Sequence, residues 1–238
     1  MITAIGFDAD DTLWHNENIF EANHARFCGL LSHYHDSRTV EKTLYATELK
    51  NLELYGYGVK GFALSAIETA IELTDGKISG KELREIVVFA KEMLAHPVEL
   101  LDGVLETIEA LSAEFQLLVI TKGDLAHQQR KLDESGLTPF FAIREIVSEK
   151  DPATYGGILR AHGIEAANFA MVGNSMKSDI LPVLELGATG IHVPYHLTWL
   201  GEQAPAPSAT EGRLHHLAGI REVPDLVRKL NQQATRTG

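Results

Sequence analysis

The chain has 238 residues, with 21 Lys plus Arg against 33 Asp plus Glu, a formal net charge of −12, and 45% hydrophobic and 23% charged residues. These proportions suit a globular protein with a substantial core, and the acidic balance argues against a broad nucleic-acid-binding face. No apolar run reaches the roughly 18 residues of a membrane span, and no charged n-region with a cleavage site opens the chain, so neither a membrane segment nor a signal peptide is expected.

The first predicted element is a short buried strand ending at Ile5-Gly6-Phe7, which delivers Asp8 and Asp10 where strand gives way to loop. Residues 15–97 then contain helical patterns at Ile19–His33, Val40–Tyr55, Gly61–Leu73 and Gly80–Ala95. Such a stretch is too long for a loop, and its four helices suit a small bundle. Cys28 is the single cysteine and lies in an apolar helical stretch, so it reads as a packed thiol. One cysteine cannot form an intramolecular disulfide, which fits a reducing, cytoplasmic setting.

From Asp102 onward helix and strand alternate. Val104, Ile108 and Leu111 recur at helical spacing, and Phe115–Ile120 is a short apolar run suited to a doubly buried parallel strand. A polar helix is expected over Ala126–Ser135, a strand near Ala142–Val147, and a helix over Thr154–His162 that stops at Gly163. Next come a strand at Asn168–Val172, a helix at Ile180–Leu186 and a strand at Gly190–Val193. Gly201–Gly212 reads as a surface loop, Leu214–Leu217 as a strand and Val223–Leu230 as a closing helix. The expected fold class is α/β: a parallel sheet with helices on both faces, built from residues 1–14 and 98–238, with residues 15–97 inserted as a helical bundle. The first strand should be central, flanked by the strands ending near Thr121 and Val172.

Two acids one residue apart at a strand's carboxyl end can divide a reaction, one as nucleophile and one as proton shuttle. Asp8-Ala9-Asp10-Asp11-Thr12 has the DxDx[TV] form, followed in order by Thr121 in Leu118–Gly123, Lys150 in Ser148–Pro152, and Gly173-Asn174-Ser175-Met176-Lys177-Ser178-Asp179. These four segments together resemble the haloacid dehalogenase-like superfamily, whose members are mostly phosphatases. The resemblance spans residues 8 to 179. It implies a Rossmannoid core and makes residues 15–97 a C1-type cap, a lid that excludes water and selects substrate.

The reaction so implied is hydrolysis of a small phosphorylated metabolite through an aspartyl-phosphate at Asp8. A phosphoryl group and a carboxylate nucleophile repel each other, so a hard divalent cation, Mg²⁺, is the expected cofactor. By resemblance, Asp8 and the backbone carbonyl of Asp10 bind it, with Asn174 and Asp179 completing its environment. Family members commonly have Asp where this chain has Asn174. An amide oxygen can still ligate a hard cation, but it brings no charge. Asp10 is expected to protonate the leaving group, its pKa raised by the nearby Asp8. Thr121 is expected to donate its hydroxyl, and Lys122 and Gly123 their backbone N–H groups, to the phosphoryl oxygens, with the Lys122 side chain solvated, while Lys150 pairs with Asp8 and neutralises developing charge. Asp11 reads as a turn residue, and Ser175 and Ser178 as groups that orient the metal-binding side chains.

The alternatives are a 2-haloacid dehalogenase-type hydrolase, against which Asp10 speaks, and a non-catalytic phospho-accepting domain. Among 11 His there is no HExxH or Cys/His zinc spacing. His15-Asn16 and Tyr195–Trp199 are candidates for substrate contact, while His215-His216 reads as structural. The expected assembly is a monomer or homodimer, without nucleic-acid or membrane partners.

Overall fold

The apolar runs around Ile5, Leu118 and Ala170 become adjacent parallel strands in a computed structural model that describes residues 1–205, 207 and 212–237. Two compact units emerge: Met1–His15 with Val98–Lys122 and Gln128–Gly238, and Asn16–Pro97 with Gly123–His127.

Among the described residues, the first unit holds one six-stranded sheet in the order β3–β2–β1–β4–β5–β6. Its strands are β1 Ala4–Phe7, β2 Gln116–Lys122, β3 Ile143–Val147, β4 Phe169–Gly173, β5 Thr189–His192 and β6 Leu214–His216. All neighbours pair in parallel, with Phe7 opposite Val119 on one side and Val172 on the other. Both faces are buried because side chains alternate along each strand. Ile5, Phe7, Val119, Ala170 and Val172 join one apolar cluster with Val104, Ile108 and Leu111 of α5 (Val104–Ser112). Ala4, Leu118, Ile120, Phe169 and Met171 face the opposite way, onto Tyr155, Ile158 and Leu159 of α7 (Pro152–Ala161). At Gly6 the close approach leaves no room for a side chain, since a Cβ there would lie 2.6 Å from Phe169 Cζ.

The second unit contains α1 Glu17–Leu30, α2 Ser37–Tyr55, α3 Val59–Leu73 and α4 Gly80–Leu94. Phe27, Leu31, Leu44, Phe62, Ile86 and Met93 pack its own core, with Cys28 buried among them. Asp36 caps α2 by accepting from the Thr39 N–H, and Ser79 with Glu82 forms a reciprocal capping box on α4.

Two boundaries differ instructively from the sequence expectation. The helix expected over Ile180–Leu186 begins earlier as a π-helical turn, Met176–Ile180, before α8 (Leu181–Glu185). Ser175 starts that turn by accepting from the Ser178 N–H. The last helix, α9, runs over Val223–Thr237 and outlasts its expected end at Leu230. Asn231 explains the extension: its amide accepts from the Ile2 N–H at 2.7 Å and donates to the Ile2 carbonyl at 2.9 Å. α6 (Leu125–Glu134) follows β2 as expected. The loop expected over Gly201–Gly212 lies partly outside the described residues.

Candidate active site

The carboxyl ends of β2, β1 and β4 lie side by side, and one acid beyond β1 and one from the turn beyond β4 converge on a buried ammonium. Lys150 donates to Asp8 Oδ1 and, at 2.8 Å, to Asp179 Oδ1. All three side chains are buried. Asp8 leaves β1 with its N–H bonded to the Val172 carbonyl at 2.9 Å, so its backbone is fixed by the neighbouring strand. Asp179 is fixed from its own turn, its Oδ2 accepting from the Ser175 N–H at 2.9 Å. Burial disfavours the charged form of Lys150, yet Asp179 and Asp8 outweigh it and hold its pKa well above the ordinary lysine value. For Asp8, burial dominates over the pull of Lys150 and, reinforced by Asp179, pushes the carboxyl up to about 7. Two carboxyl groups thus share one ammonium, and with both ionised the trio carries one uncompensated negative charge.

Asp10 has its own set of donors. Trp14 Nε1 donates to Oδ1 at 2.6 Å, Lys131 Nζ to Oδ1 at 2.5 Å, and Gln128 Nε2 to Oδ2 at 2.9 Å. The turn that allows this is closed by the Asp11 N–H bonding to the Trp14 carbonyl at 2.7 Å, with Asp11 at a φ of 62°. Burial would raise the Asp10 pKa, but Lys131, Trp14 and Gln128 together lower it below the usual carboxylate value. The expectation of a raised value is therefore corrected. It considered only the neighbouring acid, while the decisive cation comes from α6, more than a hundred residues away in sequence.

Thr121, one residue before the end of β2, accepts at its hydroxyl from Gln128 Nε2 at 2.9 Å, so one amide links Thr121 to Asp10. Asn174 is tied to Asp8 through Thr12, whose hydroxyl lies 3.1 Å from Asp8 Oδ2, 3.2 Å from Asn174 Oδ1 and 3.1 Å from the Asn174 N–H. His192 supports the same loop, its Nε2 lying 3.0 Å from the Asn174 carbonyl. The Lys122 side chain, expected to be solvated, is instead largely buried: its ammonium donates to Glu202 Oε1 at 2.5 Å and Ser178 Oγ at 2.9 Å. Glu202 also accepts from Ser175 at 2.6 Å and from Ser178, which ties the π-helical turn to the segment after β5. Gly123 has a φ of 138°, a conformation that favours glycine. His15 and Tyr195 meet each other, ring nitrogen to hydroxyl at 2.7 Å.

Sequence reasoning gave no role to Thr12, Trp14, Gln128, Lys131 or Glu202. A signal existed for two of them: Gln128 and Lys131 are three apart and share one helix face. Among the described residues no group of three or more His, Cys, Asp or Glu is arranged to hold a metal ion. The oxygen donors here are instead two carboxylates, the Asn174 amide and backbone carbonyls. No described helix is long and apolar enough to cross a membrane.

A family profile described as haloacid dehalogenase-like hydrolase matches residues 2–187. The crystal structure of a haloacid dehalogenase-like family hydrolase from Xanthomonas campestris superposes with a TM-score of 0.88 at 41% identity, covering 100% of this chain and 95% of that one. N-acylneuraminate-9-phosphatase from Mus musculus is 23% identical over 97% of this chain and 95% of its own length. A 2-haloacid dehalogenase from Pseudomonas syringae pv. Tomato shares the fold, with a TM-score of 0.64 at 20% identity, covering 97% of this chain and 100% of that one.

Proposed function

This chain belongs to the haloacid dehalogenase-like hydrolases, and from that premise we propose that it is a Mg²⁺-dependent phosphatase acting on a small phosphorylated metabolite through an aspartyl-phosphate at Asp8. The observation that carries the reading is the buried Asp8–Lys150–Asp179 trio. A nucleophilic carboxylate needs a fixed orientation and nearby positive charge to meet an anionic phosphoryl group. Lys150 supplies the charge, and the Val172 carbonyl and Thr12 hydroxyl fix the orientation.

The residues fit a hard cation. With Asp8 and Asp179 both ionised the trio is one positive charge short, and the nearby donors are the oxygens hard cations prefer. Asp8, the backbone carbonyl of Asp10 and Asn174 would hold it. Asp179 has both carboxylate oxygens engaged, by Lys150 and by the Ser175 N–H, which suits it to orienting Lys150 and reaching the metal indirectly. When bound, Mg²⁺ supplies charge neutralisation between nucleophile and phosphoryl group.

In the first half-reaction an Asp8 carboxylate oxygen bonds to phosphorus as the bond to the leaving oxygen breaks, and Asp10, held ionised by Lys131, relays to that oxygen a proton taken from the substrate's own phosphoryl group. In the second, Asp10 takes a proton from water, the water oxygen attacks phosphorus, and Asp8 and inorganic phosphate are released. Thr121 and the backbone of Lys122 and Gly123 orient the phosphoryl oxygens, while Lys150 offsets the charge that develops on them. Lys122 itself, paired with Glu202, acts through its backbone. In the same reading residues 15–97 are the cap that selects the substrate, and residues 1–14 with 98–238 are the catalytic core. The single cysteine supports a cytoplasmic location. The protein works as a monomer or homodimer.

The test is phosphate release from a phosphomonoester panel, with and without Mg²⁺, by wild type and Asp8→Asn. The panel includes an N-acylneuraminate 9-phosphate, because the mouse relative is named for that substrate. Metal-dependent turnover that Asp8→Asn abolishes is expected. Turnover that survives the substitution overturns the mechanism, and chloride release from a 2-chloroacid would favour the dehalogenase alternative.

A further inference from the structure

Asp10 is surrounded by more machinery than its proton-transfer role requires. Its two oxygens accept from an indole, an ammonium and an amide. The Lys131 side chain is only 9% exposed, and its ammonium also stands 5.9 Å from the centre of the Trp14 ring. Gln128 is committed in the same direction. Its Nε2 faces Asp10 Oδ2, Thr121 Oγ1 and the Lys122 carbonyl, each at 2.9 Å, while its Oε1 is buried with no hydrogen-bond partner among the described residues. Turning the amide over would set an oxygen against a carboxylate and a carbonyl. The donor orientation is therefore retained even though it strands an acceptor.

Stability alone does not account for a buried lysine here. A buried ion pair is a weak source of stability, and apolar residues of similar volume often do as well or better. What the pair does provide is a fixed carboxylate. From the geometry of these three donors we infer that Lys131, together with Gln128 and Trp14, is a positioning residue that clamps the Asp10 carboxylate in register with Thr121. The clamp is anchored on α6, which follows directly from β2. It thereby joins the ends of β1 and β2, the strands that carry the nucleophile and the phosphoryl-binding hydroxyl.

This inference rests on the proposed role of Asp10 as acid and base, and its test separates the two. Steady-state hydrolysis of p-nitrophenyl phosphate with Mg²⁺ is measured for wild type, Lys131→Met, Lys131→Arg, Asp10→Asn and the Lys131→Met/Asp10→Asn double variant. A residue that acts through Asp10 lowers kcat while leaving KM nearly unchanged, and misplacing a general acid–base costs up to the about 10²–10⁴-fold that such catalysis supplies. Lys131→Met is expected to lower kcat at least about tenfold, Lys131→Arg to restore part of it, and Lys131→Met to add little in the Asp10→Asn background. A higher KM at unchanged kcat, or the same fold-loss in both backgrounds, overturns the clamp. Asp8→Asn is measured beside them, and activity that survives it would instead refute the underlying mechanism.

A measurement without turnover covers variants that fold but do not react. The Trp14 indole N–H resonance, assigned by Trp14→Phe, reports its hydrogen bond to Asp10. It should move in Lys131→Met and in Asp10→Asn. An unmoved resonance in Lys131→Met means that the carboxylate is held without Lys131, and the inference fails.

Discussion

Gly173 ends β4 directly against the carboxylate of Asp179: a Cβ at position 173 would lie 2.3 Å from Oδ2. The φ of this glycine raises no issue; the space it leaves does. Asp179 is buried and bonded to Lys150 and Ser175, so it cannot step aside without breaking the trio. Gly173→Ala is expected to lower stability by about 1–3 kcal/mol, the usual scale of overpacking, and to lower phosphatase activity more than the stability loss explains. Urea midpoints and kcat/KM measured together test this, and unchanged kcat/KM would mean that Asp179 is not needed where it stands.

Lys150→Met keeps the volume and removes the charge. Removing one partner of a buried ion pair costs about 3–5 kcal/mol, because the remaining charge is stranded. Here two carboxylates would be stranded. Turnover should be lost, and added Mg²⁺ should raise the melting temperature of the variant more than that of wild type, because the stranded carboxylates gain a countercharge; an equal or smaller rise would contradict the assignment.

Glu202 gathers Lys122, Ser175 and Ser178 onto one carboxylate, and its pKa is lowered because these partners outweigh burial. Glu202→Gln retains the shape and weakens these hydrogen bonds. A loss of about 1.5–3 kcal/mol is expected, the range for hydrogen bonds to charged groups. Thermal unfolding reads it, at about 2–4 °C per kcal/mol for a chain of this size. A melting temperature equal to wild type would show that the network adds nothing to stability.

In the helical unit, His24 lies 3.6 Å from Glu48 and stacks on Phe62 at 5.2 Å. Burial alone lowers its pKa, but Glu48, with Glu17 and Glu41, raises it above the ordinary value of 6.5. A group whose folded pKa is raised stabilises fully below its unfolded pKa, and that contribution disappears as pH rises through the folded value. His24→Gln should therefore cost more stability at about pH 5.5 than at about pH 8.5, bracketing the ordinary histidine range. Denaturant midpoints at the two pH values decide it, and a larger cost at the higher pH would contradict the assignment.

Much of this protein was legible in its sequence. Short runs without polar residues, such as Ile5–Phe7 and Leu117–Ile120, specify doubly buried parallel strands because no polar alternation interrupts them. The acids of Asp8-Ala9-Asp10 and the hydroxyl of Thr121 follow such runs directly, so their place at strand ends could be read locally. Lys150 and Asp179 lie together beside Asp8. What could not be read was the partner set of each group. Lys131 and Gln128 lie on a polar helix that looks solvated in one dimension, and Glu202 lies in what reads as a surface loop. Their charges and amides gain meaning only when the sheet order brings α6 and the segment after β5 to the same edge. Periodicity and motif spacing are properties of neighbours along the chain, so sequence alone determined the fold class and the candidate acids. Electrostatic balance depends on distance in space and on exclusion of water, so only the tertiary structure decided that Asp10 is held by a cation, that Lys122 is spoken for, and that Asp8 shares its ammonium.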